Sequence, residues 1–75
     1  MTTGEIVKHA RIKYRMTLRE VSAKCGMSNA FLSQIETGKI KSFTTDTLKQ
    51  LVVAFPMYEQ EILMSQGIKG MFYVE

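Results

Sequence analysis

The chain has 75 residues, a formal net charge of +3 and one cysteine. That length predicts a single domain over residues 1–75, whose small core is stabilised by a helical bundle or by oligomerisation. No window approaches the roughly 18 consecutive apolar residues of a membrane span, and no export leader is recognisable. Cys25 and His9, each the sole residue of its type, are too few ligands for a zinc site within one chain. We therefore expect a cytoplasmic protein with no metal, no cofactor and no membrane partner.

Charge is unevenly distributed along the chain. Residues 1–49 hold nine Lys and Arg against four Asp and Glu, a balance of +5, whereas residues 50–75 have a balance of −2. The front two-thirds would attract a polyanion and the remaining third would not. An ordinary solvated surface can have the same composition, so charge alone leaves both interpretations open.

Capping residues and apolar periodicity predict the first three helices. Thr2 and Glu5 have the capping-box pattern, and the helix they open has an apolar stripe of Ile6, Val7, Ala10 and Tyr14. Thr17 caps a second helix, which Gly26 ends. Ser28 caps a third, whose apolar side comprises Phe31, Leu32 and Ile35.

Two further helices and a short tail follow. Phe43 and Leu48 bracket Thr44 in a hydrophobic-staple pattern, which opens a fourth helix with an inward stripe of Leu48, Leu51, Val52 and Phe55. A fifth helix over about residues 57–66 presents Tyr58, Ile62 and Met64. The tail, residues 68–75, contains β-type residues. We predict an all-α fold, a small bundle of about five short helices with a short C-terminal extension or strand.

Residues 18–37, LREVSAKCGMSNAFLSQIET, have the pattern of two helices joined by a three-residue turn. Val21, Leu32 and Ile35 have the spacing that packs the two helices together. At Gly26 the turn requires a positive φ, which costs a residue with a Cβ roughly 1–2 kcal/mol. Such a pair of helices projects its second helix into a DNA groove.

This segment resembles the helix-turn-helix of the lambdoid phage repressor and Cro family. The resemblance covers about residues 5–55, and the run SQIETGK is close to the usual end of that family's recognition helix. It implies a sequence-specific transcriptional regulator of double-stranded DNA, with a recognition helix over about residues 28–37 in the major groove. It also implies a structural ion pair between Arg11 and Glu36.

Side-chain chemistry indicates which residues would contact DNA. Amides read adenine edges, small side chains admit a thymine methyl and hydroxyls pair with several bases, which predicts base contacts from Asn29, Ala30, Ser33 and Gln34. Helix caps and basic side chains predict contacts to the DNA backbone from Thr17, Arg19, Ser28, Lys39 and Lys41. A plain polar surface is the alternative for each of them. Phe31 belongs either to the core or to the rim of the groove.

The expected partner is a palindromic operator bound by a homodimer, because one recognition helix reads only a few base pairs. Residues 57–75 are the predicted dimerisation element, with contacts from Met71, Phe72, Tyr73 and Val74. These apolar residues are more than a free terminus should expose. The alternative is that the tail completes the protein's own core.

Several classes of function remain open. A repressor of phage or mobile-element type is expected first, with a restriction-modification controller or an antitoxin-type regulator as alternatives. A protein-binding antirepressor could use the same fold. An enzyme is the third class, but the sequence has no paired-carboxylate pattern and no Gly-rich phosphate loop, which argues against catalysis.

Overall fold

A computed structural model of the chain describes residues 1–68, and over that range the fold is all-helical, which confirms the predicted class. Its α-helices are Thr3–Lys13 (α1), Leu18–Cys25 (α2), Asn29–Glu36 (α3), Thr45–Ala54 (α4) and Glu59–Ser65 (α5). A single 3-10 turn, Pro56–Tyr58, precedes α5. The tail that we predicted as a strand or an extension lies, from residue 69 onwards, outside the described residues.

Each of the first four helices begins at a hydroxyl side chain, as the sequence predicts. Thr2 and Thr17 form complete capping boxes with the glutamate three residues later. The hydroxyls of Ser28 and Thr44 accept a hydrogen bond from the backbone N–H three residues on. Such a cap stabilises a helix by about 1 kcal/mol. These bonds are local in sequence, and they mark where each helix starts.

The core lies where the inward faces of the five helices meet. Its largest fully buried side chains are Leu32, Ile35, Leu48, Leu51, Ile62, Val7 and Val21. Helix α1 packs on α3 and α5, and α2 packs on α3 and α4. The two helices α2 and α3 are therefore held from behind by α1 and α4. Burying each of these aliphatic side chains contributes about 1.5–3 kcal/mol.

Three details of the sequence prediction are wrong. Tyr14 lies beyond the end of α1 and is 41% exposed, so it does not continue the buried stripe. Helix α5 begins at Glu59 because Pro56 first opens a 3-10 turn. Met64 is 68% exposed and Leu63 is buried instead, since adjacent helical residues point about 100° apart.

Helix α1 approaches the backbone of α3 closely at Gly4. A Cβ on Gly4 would lie 2.0 Å from the carbonyl oxygen of Ile35 and 3.4 Å from the Cα of Glu36. Because the obstructing atoms belong to the backbone, no side-chain rotation could relieve that clash. Only glycine lets the two helices cross at this distance.

A partly buried polar cluster joins the start of α1 to the end of α5. Thr3 is 3% exposed, and its Oγ1 lies 2.5 Å from Ser65 Oγ. Gln66 Nε2 donates to Thr3 Oγ1 at 2.8 Å and to the carbonyl oxygen of Lys41 at 3.1 Å. Gln66 therefore connects the first helix, the last helix and the loop that follows α3.

We expect Gly4→Ala to lower the free energy of unfolding by about 3 kcal/mol, the upper end of the usual cost of overpacking. Gly67→Ala is the matched control, because Gly67 has a φ of +76° and open space around its Cβ position. That variant should lose only the cost of a left-handed backbone, about 1–2 kcal/mol. Denaturant unfolding measures both changes. Equal losses would contradict a tight crossing at Gly4.

Candidate nucleic-acid interface

The turn between α2 and α3 has the geometry predicted for it. Gly26 has a φ of +78° and a ψ of 16°, in the left-handed region that favours glycine. Met27, the next residue, is buried, and its carbonyl oxygen accepts a hydrogen bond from the hydroxyl of Ser22. The buried Met27 side chain and this bond fix the direction in which α3 leaves α2.

Helix α3 has one buried face and one outer face. Leu32 and Ile35 are fully buried against Val21 and the rest of the core, and Phe31 packs partly buried against the same cluster. Phe31 is therefore part of the core's edge. The outer face carries the four residues predicted to contact bases; Ser33 is half-buried, and the exposed ones are Asn29, Ala30 and Gln34.

Helices α2 and α3 both begin at exposed N-cap residues, Thr17 and Ser28. The positive end of each helix dipole lies at its cap, where it attracts an anion such as a phosphate. Arg19, also exposed, lies in the first turn of α2 and adds a full positive charge there. These three predicted backbone contacts are thus accessible from solvent.

A short loop holds the two lysines that follow α3. The backbone N–H of Ile40 donates to the carbonyl oxygen of Gln34 at 3.2 Å, and the Ile40 side chain packs partly buried against the core. Lys39 and Lys41, on either side of it, are exposed. The loop is therefore anchored at its centre and presents two positive charges directly after α3.

Arg11 connects three parts of the fold through its guanidinium. Its Nε and Nη2 donate to the two carboxylate oxygens of Glu36 at 2.7 and 3.0 Å, and its Nη1 donates to the carbonyl oxygen of Met16 at 2.9 Å. The Arg11 and Glu36 side chains are 17% and 6% exposed. The hydrogen bond to Glu36 raises the pKa of Arg11 above its ordinary value, so the guanidinium stays charged.

The roles of some residues that position this surface were not predicted from the sequence. Glycine inside a helical pattern is unfavourable by about 1 kcal/mol relative to alanine, and that signal could have pointed to a packing role for Gly4. No comparable signal marks Gln66 or the carbonyl of Met16, because their bonds depend on tertiary position. The predicted dimer contacts lie outside the described residues: Met71, Phe72, Tyr73 and Val74.

Metal binding, membrane crossing and thiol chemistry each place their own requirements on residues 1–68. Within that range no group of three His, Cys, Asp or Glu side chains could hold a metal ion, and no helix is long and apolar enough to cross a membrane. Cys25 is buried, and desolvation raises the pKa of its thiol, so it is a protonated core group.

Comparison with known proteins agrees with this geometry. A family model described as a helix-turn-helix matches residues 7–62, which include most of α1, all of α2, α3 and α4, and the first half of α5. Neither the curated proteins nor the solved structures gave a match.

We expect Glu36→Gln to lower the free energy of unfolding by about 3 kcal/mol, because it leaves the mostly buried Arg11 without a counter-charge. Glu61→Gln makes the same chemical change on an exposed helical residue and should change stability by at most about 0.5 kcal/mol. Urea unfolding measures both variants. A Glu36→Gln loss no larger than the control would mean that the ion pair does not hold the helices together.

Proposed function

This chain belongs to the helix-turn-helix family and is a DNA-binding transcriptional regulator, and from that premise we propose a sequence-specific repressor of phage or mobile-element type. Helix α3 enters the major groove of double-stranded DNA. The observation that carries this proposal is the outer face of α3, where amide, hydroxyl and methyl groups lie between exposed helix caps and two exposed lysines.

The outer face of α3 suits the reading of a short base sequence. Asn29 and Gln34 are five positions apart, which at a rise of about 1.5 Å per residue is about 7.5 Å, or roughly two base-pair steps. The two amides each pair with the edge of an adenine. Between them, Ala30 accommodates a thymine methyl and Ser33 donates to or accepts from a neighbouring base. One copy of α3 therefore specifies about three base pairs.

Contacts to phosphates hold α3 in register. Thr17 and Arg19 at the start of α2, and Ser28 at the start of α3, would meet one stretch of DNA backbone through helix N-termini and a guanidinium. Lys39 and Lys41 would meet another stretch, beyond the far end of α3. Phosphates on both sides of the groove fix the position of the helix without reading sequence.

A homodimer on a palindromic operator follows from the short reach of one helix. Two half-sites about one helical turn apart, roughly 34 Å, give a site long enough to be selective. Residues 57–75 form the contact, with Met71, Phe72, Tyr73 and Val74 contributing its apolar part. Two observations support this choice: residues 50–75 have a charge balance of −2, and Met57 and Met64 are 69% and 68% exposed.

The same reading face would serve a restriction-modification controller or an antitoxin-type regulator, which differ in the gene they control. A protein-binding antirepressor would need acidic or bulky apolar residues on the outer face of α3. The small and polar residues there, followed by exposed Lys39 and Lys41, favour DNA instead.

We expect Gln34→Ala and Asn29→Ala to reduce discrimination between a selected duplex and a single-base mismatch by about 1–3 kcal/mol each. Lys39→Ala should weaken binding to every sequence equally, and it should reduce the log–log slope of affinity against salt by about one. Fluorescence anisotropy with duplexes selected from a random pool, repeated at several salt concentrations, measures both quantities.

The control for those variants is Val53→Ala, which truncates an exposed side chain of α4 that belongs neither to the proposed DNA contacts nor to residues 57–75. It should leave both affinity and discrimination unchanged. If the parent protein binds selected and scrambled duplexes equally, it is a nonspecific polyanion binder and the proposal is wrong. If Gln34→Ala, Asn29→Ala and Lys39→Ala lose affinity evenly across sequences, α3 does not read bases.

Removal of the residues after Ile68 tests the proposed dimer. Ile68 stays because it packs against the core and its N–H donates to the carbonyl oxygen of Leu63. We expect the shortened chain to remain folded, to sediment as a monomer and to lose cooperative binding to a palindromic site. Unfolding of the shortened chain would mean that the tail completes the core, and an intact dimer would place the contact elsewhere.

A further inference from the structure

Helix α1 ends differently from the other helices that turn through a left-handed residue. Within residues 1–68 four residues have a positive φ: Gly26, Gly38 and Gly67, which follow α2, α3 and α5, and Arg15, which follows the C-cap of α1. Glycine adopts a positive φ without steric cost, whereas the φ of +57° at Arg15 brings its Cβ close to the backbone. Glycine would therefore be the more stable residue at position 15.

The dipole of α1 does not account for an arginine at this position. A cation near a helix C-terminus is stabilising, but the last turn of α1 already holds Arg11 and Lys13. The last turns of α3 and α5 hold no basic residue, and glycine follows both of them. Helices that lack a cation in the last turn thus end at a glycine, and the helix that has two such cations ends at an arginine.

No contact inside the described part of the chain compensates for the strained backbone of Arg15. Its side chain is exposed and has neither a hydrogen bond nor an ion pair within residues 1–68. Its backbone N–H donates to the carbonyl oxygen of Ile12 at 3.0 Å, a bond that glycine would make equally well. Backbone strain of this kind concentrates at residues that contact a ligand. The guanidinium of Arg15 is thus accessible to a partner outside the chain.

Arg15 lies beside the N-terminus of α2 and determines the net charge there. It precedes the N-cap Thr17 by two residues, so the two Cα atoms are at most about 7.6 Å apart. The capping box holds Glu20 at the same terminus, where its Oε1 accepts the N–H of Thr17 at 2.7 Å. The charges of Arg19 and Glu20 cancel, so residues 16–20 have no net charge and Arg15 alone brings the balance of residues 15–20 to +1. Within this segment, the net attraction for an anion comes from Arg15.

We propose that Arg15 is a further contact to the DNA backbone and binds the phosphate beside the one at the α2 cap. The inference rests on the proposed function, in which Thr17 and Arg19 already meet phosphates. An arginine guanidinium donates two parallel hydrogen bonds to one phosphate, and such a contact is blind to sequence. Glycine would relieve the backbone but has no guanidinium, so Arg15 lowers the stability of the free protein and raises its affinity for DNA.

Arg15→Gly in the full chain tests this contact, because it should change stability and affinity in opposite directions. We expect its Tm to rise by about 4 °C as the left-handed backbone is relieved. Its affinity for a selected duplex should fall about tenfold at about 0.1 M salt, and the log–log slope of affinity against salt should decrease by about one. Thermal melts and fluorescence anisotropy at several salt concentrations measure these changes. A lower Tm, or a salt slope equal to that of the parent, overturns the proposal.

Two control variants separate the phosphate contact from a general effect of charge. Arg15→Lys keeps the charge and should keep the salt slope, whereas Lys8→Gln removes a charge from another exposed residue and should leave the slope unchanged. A loss of affinity on Arg15→Gly that is confined to the selected duplex would mean base reading, and it would also overturn the phosphate contact. A parent chain that binds selected and scrambled duplexes equally contradicts the proposed function. The salt slope of Arg15→Gly still decides the Arg15 contact in that case, since phosphates are present in every duplex.

Discussion

The rest of the structure depends on the bidentate ion pair between the Arg11 guanidinium and the Glu36 carboxylate. Both ions have lost most of their hydration, so neither is stable in its place without the other. Arg11 also donates to the carbonyl oxygen of Met16, the residue before the α2 cap. Its contacts therefore hold α1, Met16 and the end of α3 in one arrangement. Gly4, two turns earlier on α1, allows the backbones of α1 and α3 to touch near the same end of α3. Helix α3 cannot rotate about its axis without separating Glu36 from Arg11, and the direction of its outer face is fixed as a result.

This restraint matters because α3 is too short to be stable alone. Isolated helices below about 12–15 residues are marginal in water, and α3 has eight residues. Three features supply the stability that its length does not: the cap at Ser28, the buried Leu32 and Ile35, and the ion pair between Glu36 and Arg11. In the proposed complex, a helix held in this way would meet the groove already ordered, so little conformational entropy would remain to be lost on binding.

Features encoded by neighbouring residues were predictable from the sequence, and features created by distant contacts were not. Hydroxyl caps, apolar periodicity and the left-handed Gly26 are local, and they predicted the helices and the turn of the motif. The error at Met64 arose because Met64 is two positions from the buried Ile62, a step of about 200° that places it on the opposite side of α5. The outer face of α3 was predicted because it is what remains after Leu32 and Ile35 are buried. The role of Gln66, which depends on the docking of three separate segments, has no sequence pattern.

The bond between Thr3 and Gln66 joins residues 63 positions apart in a bundle whose other connections are mostly between sequence neighbours. Bringing the two ends of so long a segment together costs conformational entropy, and this cost grows with the logarithm of the segment's length. The bond between Thr3 and Gln66 offsets part of the cost only when the intervening helices have docked. The bond therefore depends on the docking of α1 against α5. When it opens, the loop bearing Lys41 loses its tether to α5 while the contact between α2 and α3 persists. We therefore expect the amide hydrogens of the loop that bears Lys39 and Lys41 to exchange before those of α3.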